Sequence, residues 1–175
     1  MNWTEMLNGA IEESYAATDA LMGMVEDSEL DWKPATGENW MTVGQLLMHL
    51  TGACGACCKG FVTGDWGMPE GVDYENIPPE EMLPPAEQLP AAESVAQARE
   101  LLAADKTVAL EMVAAAGEED LASKKVSAPW CPDMRFNLGK HLLQMVQHLV
   151  QHKTQLFYYL KLMGRPVNTG HLYGM

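Results

Sequence analysis

Two histidines four residues apart, His148 and His152, and a third far upstream, His49, are the side chains here best suited to chemistry. On a helix, residues i and i+4 sit about 5 to 6 Å apart on neighbouring turns, so these imidazoles can converge on one ion, as in a helical H-x-x-x-H zinc site. At about 100° per residue, both flank one edge of an apolar stripe formed by Leu138, Leu142, Met145, Leu149 and Leu156. His49 borders a second stripe, Val43, Leu46, Leu47 and Leu50, so a metal held by all three would join two helices. Spacing alone leaves a second reading open, in which the pair are core histidines bonded to backbone or water. His141 precedes His148 by two turns, about 10.5 Å, and cannot share its ion; it reads as structural or as lining a pocket. His171 lies in the C-terminal tail.

Other reactive side chains are less suggestive. Cys54-x-x-Cys57-Cys58 has a redox or zinc spacing, but no second C-x-x-C exists and Cys54 and Cys57 fall inside the apolar stripe, which favours packed thiols. Cys58 projects from that stripe and could line a cavity. Trp32, Trp40 and Trp130 lie in connections, as lids on the ends of the helices or as walls of a substrate pocket. Gln45 and Gln155 can orient ligands but cannot accept a proton at neutral pH, so no dedicated general base is visible and no catalytic residue is assigned. No G-x-S-x-G, phosphate-cradling glycine loop or dinucleotide fingerprint occurs, and Glu118-Glu119-Asp120 reads as a solvated turn.

The elements that must position these residues are helical. Apolar residues spaced three and four apart predict helices over about 3–26, from Thr42 to just before Gly64, from Ser94 to about Ala116, and from 138 to 163. Thr42 with Gln45, and Ser94 with Gln97, fit the capping box that opens a helix. Prolines 69, 78, 79, 84, 85 and 90 make residues 64–92 a long, stiffened connection. With no convincing strand, the pattern predicts an all-α four-helix bundle in one domain, 1–175, ordered up-down-down-up because the long connection can return the chain in the same direction.

Composition narrows the partners. The 175 residues carry 11 Lys and Arg against 24 Asp and Glu, a formal charge of −13, which repels nucleic acid and anionic membranes. No uninterrupted apolar run approaches the roughly 18 residues of a membrane span, no basic leader opens the chain, and the clustered cysteines are unlike a disulfide framework. A cytoplasmic protein acting on a small molecule is expected.

Two segments carry a family resemblance. Trp40-Met41-Thr42-Val43-Gly44-Gln45-Leu46-Leu47-Met48-His49-Leu50 resembles the opening of the second helix in the DinB/YfiT-like metalloprotein superfamily. His148-Leu149-Val150-Gln151-His152-Lys153-Thr154-Gln155, followed by Gly164-Arg165-Pro166, resembles that family's C-terminal H-x-x-x-H-R-G-Q block, with Lys153 for the usual Arg and Thr154 for the usual Gly. The resemblance implies a four-helix bundle, a divalent metal, often zinc or nickel, on His49, His148 and His152, and a homodimer. It further implies addition or transfer of a low-molecular-weight thiol to an electrophilic small molecule, with metal-dependent hydrolysis as the rival chemistry. Trp40, Gln45, Cys58, His141 and Gln155 are then the candidate pocket residues. A non-catalytic binding module with a structural metal, or none, is the reading of a different class.

Overall fold

The computed structural model describes residues 2–67, 77 and 84–175, and the chain over them is mostly helical. Helix α1 spans Trp3–Met22, α2 Val43–Leu50, α3 Gly55–Thr63, α4 Val95–Ser123 and α5 Leu138–Leu162; an antiparallel hairpin of β1, Lys125–Ala128, and β2, Cys131–Asn137, precedes α5. The periodic residues meet as their spacing predicts: Leu7, Ile11, Leu46, Leu50, Leu102, Val113, Leu142, Leu149 and Leu156 are buried in one core. Helix α4 packs on α1 and α3, while α5 closes the other side against α1, α2 and α3.

Capping explains the helix starts. Thr42 and Gln45 form the reciprocal box at α2, and the Gln45 amide donates further to the carbonyls of Ala86 (2.8 Å) and Leu89 (2.9 Å). The end of the long connection is thereby fastened across the start of α2, helped by the Ala92 amide on the Gly44 carbonyl at 2.9 Å. Residues 68–76 and 78–83 of that proline-rich stretch lie outside the described residues. At α4, Ser94 accepts the Gln97 amide at 3.1 Å, but the Gln97 side chain turns to the Glu93 amide instead of closing the box.

Several expectations need correction. Helix α1 stops at Met22, four residues early, with Gly23 at its C-cap. Gly117 does break its helix, at φ 69° and ψ 163°, yet the chain resumes helical turns to Ser123. The kink aims Glu118 at the start of α1, where its carboxylate accepts the amides of Trp3 and Thr4, each at 3.0 Å, so Glu118 caps a second helix; the acidic stretch is helical and not a turn, while Glu118 and Glu119 are solvent-exposed as expected. Finally, the fold is not purely helical. The hairpin turns on Pro129-Trp130, and Pro132 within β2 together with only four residues in β1 erased the period-two signal by which strands are read.

The second predicted helix is two. Thr51 ends α2, its hydroxyl donating back to the Met48 carbonyl at 2.7 Å, and α3 restarts at Gly55. The cause is tertiary: Asp105 of α4, 7% exposed, accepts the amides of Gly55 (2.9 Å) and Ala56 (2.8 Å) and the Tyr15 hydroxyl (2.6 Å). A carboxylate that takes the first amides of a helix competes with the i→i−4 ladder and wins because those donors sit at a positive helix end. Residues 43–63 are long and apolar enough by composition to cross a membrane, with mean hydropathy 1.2, but half of that stretch is buried inside the domain and the break divides it.

Gly55 makes this approach feasible, because a Cβ there would lie 2.0 Å from the Asp105 backbone carbonyl oxygen. Relieving that overlap requires moving backbone, so Gly55→Ala should destabilise the fold by about 2 to 3 kcal/mol. Gly52→Ala, whose Cβ would meet only Ala56 Cβ at 3.9 Å, should cost under about 1 kcal/mol. Urea midpoints of the two variants check the contrast.

Candidate metal centre

Helix α2 carries His49 on its last turn and α5 carries His148 and His152 on successive turns, and the three imidazoles meet between the helices. His148 Nε2 lies 3.3 Å from His49 Nε2 and 3.0 Å from His152 Nε2, and one ring nitrogen from each of the three falls within 4.8 Å of the others. Nitrogens bound at about 2.0 to 2.1 Å around a tetrahedral ion stand roughly 3.3 Å apart, so the observed spacing fits ligands of one ion.

Hydrogen bonds behind the rings decide where the protons are. His148 Nδ1 is 3.1 Å from the Ala53 carbonyl, which can only accept, so Nδ1 holds the proton and Nε2 a lone pair. Ala53 sits in the break between α2 and α3.

For His152 the assignment runs through a longer chain. The Met41 carbonyl accepts the Tyr159 hydroxyl at 3.0 Å, the Tyr159 oxygen therefore accepts the Gln155 amide at 3.1 Å, and the Gln155 carbonyl faces His152 Nδ1 at 3.0 Å. His152 Nδ1 must donate, which leaves a lone pair on its Nε2 as well. Two lone pairs thus face each other at 3.0 Å with no proton between them. A proton on His49 Nε2 could serve His148 but not the His148–His152 contact; a cation at the focus of all three would relieve it.

The electrostatics agree. Burial, followed by the neighbouring imidazoles His152 and His148, pushes His49 down to about 4. Burial is also the main cause lowering His148 and His152. All three are neutral at physiological pH, as metal ligands must be.

A cleft of about 690 Å³ opens beside His148. Of the pocket residues expected from sequence, His141 lines it; Trp40, Gln45, Cys58 and Gln155 do not. His141 stacks on Phe61 at 4.4 Å between centroids and places Nε2 3.0 Å from the Val126 carbonyl. Gln45 is committed to its cap, Gln155 backs His152, Cys58 is fully buried, and the Trp40 indole donates to the Thr36 carbonyl at 2.8 Å while its ring meets Tyr159 edge-on. Trp32 packs on the same tyrosine, and Trp130 lines the cleft. His171 stays in the tail, its Nδ1 accepting the Asn168 amide at 3.0 Å, while the buried Lys153 ammonium donates to the Leu172 carbonyl.

Trp130, offered by the sequence as a lid or a pocket wall, does line the cleft; sequence reasoning missed its hairpin companions Met134 and Phe136, and Gln144, Gln147 and Gln151 on α5. The glutamines were findable, since they share a helical face with His141 and His148; the hairpin left no such trace. Cys57 also lines the cleft, but burial, with Asp105 and Cys54 nearby, pushes its thiol up to about 12, so it stays protonated.

A family model described as the DinB superfamily matches residues 10–156, a span that includes all three clustered histidines. No curated protein and no solved structure matches the chain.

The depressed His49 has a stability consequence. Its value is about 6.5 in an unfolded chain and about 4 when folded, so the unfolded state binds the proton first. The His49 contribution to the stability of the metal-free protein is therefore full above pH 6.5 and should be lost as pH falls toward 4. The His49 share is on the order of 1 to 2 kcal/mol once its partial exposure is discounted. Urea midpoints across that window should fall less steeply for His49→Gln than for the unsubstituted protein.

Proposed function

This chain belongs to the DinB superfamily, and on that footing we propose that it is a divalent-metal enzyme, with zinc or nickel on His49, His148 and His152, that transfers a low-molecular-weight thiol to an electrophilic small molecule. The observation that carries the metal is the pair of facing lone pairs on His148 and His152, fixed by the Ala53 carbonyl and the Met41–Tyr159–Gln155 chain. The scaffold is read as the family's four-helix bundle, up-down-down-up, with the broken α2–α3 as its second member.

When bound by three neutral imidazoles, such an ion keeps at least one position open and lowers the pKa of a thiol or water placed there. The chain's own residues have separate tasks. His148 and His152 present fixed tautomers, so no reorientation accompanies binding. The surrounding core half-buries the imidazoles and leaves His148 at the cleft, and Tyr159 and Gln155 hold the His152 proton on Nδ1. Thiol chemistry is favoured over hydrolysis because, among the described residues, no carboxylate lines the cleft and its glutamines cannot accept a proton from attacking water, whereas a thiol needs no base beyond the ion.

Three measurements test this reading. Elemental analysis of untagged protein should give about one divalent ion per chain. His148→Ala should weaken binding at least 100-fold, and Gln155→Leu, which leaves all three ligands, about 10-fold. Full occupancy in both His148→Ala and His152→Ala would remove the proposed centre. In a screen of thiols and electrophiles with metal-loaded protein, thiol-dependent loss of the electrophile supports transfer, while thiol-independent loss assigns hydrolysis. We also propose a homodimer, supported by Tyr158 and Leu162, exposed one turn apart on α5; light scattering should give twice the chain mass at micromolar concentration.

A further inference from the structure

The cleft beside His148 has an unusual chemical character for this chain. A fifth of all residues are charged, so thirteen lining residues would ordinarily include two or three charges; among the described residues, the thirteen that line this cleft include no Asp, Glu, Lys or Arg. The other described cavity, about 220 Å³, shows that this is not general, since Asp19, Arg99 and Lys106 rim it.

In place of charge the cleft offers rings and amides. Phe61, itself stacked on His141, meets Trp130 edge-on at 6.1 Å, and Phe136 tilts onto His141 at 5.5 Å. Gln144, Gln147 and Gln151 line the cleft from α5, and each carries a side-chain amide that is both donor and acceptor. About 690 Å³ lies within the range of small-molecule sites, and such sites are apolar with a few converging polar groups.

The Lys140 ammonium is engaged 3.5 Å over the Phe136 ring and does not itself line the cleft; among the described lining residues a formal charge would lose water without a direct counter-charge, whereas a flat apolar body is rewarded by ring contact and a neutral carbonyl or amide by the glutamines. We propose that this cleft binds an uncharged, flat aromatic molecule bearing an amide or carbonyl group, and that this molecule is the electrophilic substrate. Its role as substrate rests on the metal-enzyme reading above. A carboxylate-bearing thiol is not recognised by these walls and would be held by the ion alone.

The test uses three isosteric probes: naphthalene-2-carboxamide, naphthalene-2-carboxylate and naphthalene-2-methylammonium, titrated calorimetrically. Metal-free protein is compared with metal-loaded protein, because a carboxylate can ligate an ion by itself. In the metal-free form the carboxamide should bind at least 10-fold tighter than either ion. Gln144→Glu should reverse the preference, raising ammonium affinity at least 5-fold, and Trp130→Ala should weaken the carboxamide about 10-fold. Gln144→Glu lies on α5, so it stays informative if Trp130→Ala disturbs the hairpin. Equal affinity for all three probes, tighter carboxylate binding without metal, or no change in Gln144→Glu would overturn the proposal. Carboxamide binding by a protein that takes up no metal would overturn the enzyme reading and leave the cleft's specificity standing; metal uptake with no probe binding would do the reverse.

Discussion

The architecture depends on one buried carboxylate. Asp105 takes the Tyr15 hydroxyl and the amides of Gly55 and Ala56, and in doing so stops what would otherwise run as a single helix from Val43 to Thr63. Burial pushes Asp105 up from the ordinary carboxyl range, and its donors pull it back toward the charged form. Tyr15, raised far above its usual value by burial and by the neighbouring Cys54 and Asp105, keeps its proton and remains a donor. The break turns the Ala53 carbonyl toward α5, where it receives the His148 Nδ1 proton. A structural bond on α4 thereby sets the tautomer of a histidine on α5.

The imidazoles are supported from two directions. The Met41–Tyr159–Gln155 chain reaches His152 from the start of α2, and the break after α2 reaches His148. Since Gln45 fastens the same helix start to the returning chain at Ala86 and Leu89, the position of His49 is tied to both ends of its helix. Low solvation does the rest: it keeps the rings neutral, and it makes facing lone pairs costly unless a cation lies between them.

The hairpin gives an acidic protein a cleft whose described lining residues include no Asp, Glu, Lys or Arg. With a charge of −13, the surface as a whole attracts cations, yet Trp130, Met134 and Phe136 wall off one side of the cleft with apolar surface. The glutamines of α5 supply direction without a long-range field. Recognition there rests on shape and short-range hydrogen bonds, which salt does not screen.

Much of this was legible in the residues. The 3.6-residue period of the apolar stripes determined the helices and their buried faces, Thr42 and Gln45 determined where α2 begins, and the i, i+4 spacing determined that His148 and His152 share a face. These are local properties, decided within a few turns of chain. What the sequence could not show depends on contacts between residues far apart: Asp105 capping α3 across 49 positions and Glu118 capping α1 across 114, whereas the meeting of His49 with His148 was already implied by the family resemblance. No local pattern distinguishes an aspartate that will be buried under a helix terminus from one that faces water, nor a short strand interrupted by Pro132 from a loop. For the same reason Gln45, Cys58 and Gln155 read alike as pocket candidates, and only packing separated a helix cap, a core thiol and a histidine's partner. The tertiary structure decided those roles because a hydrogen bond needs its partner's position, and that position belongs to the fold.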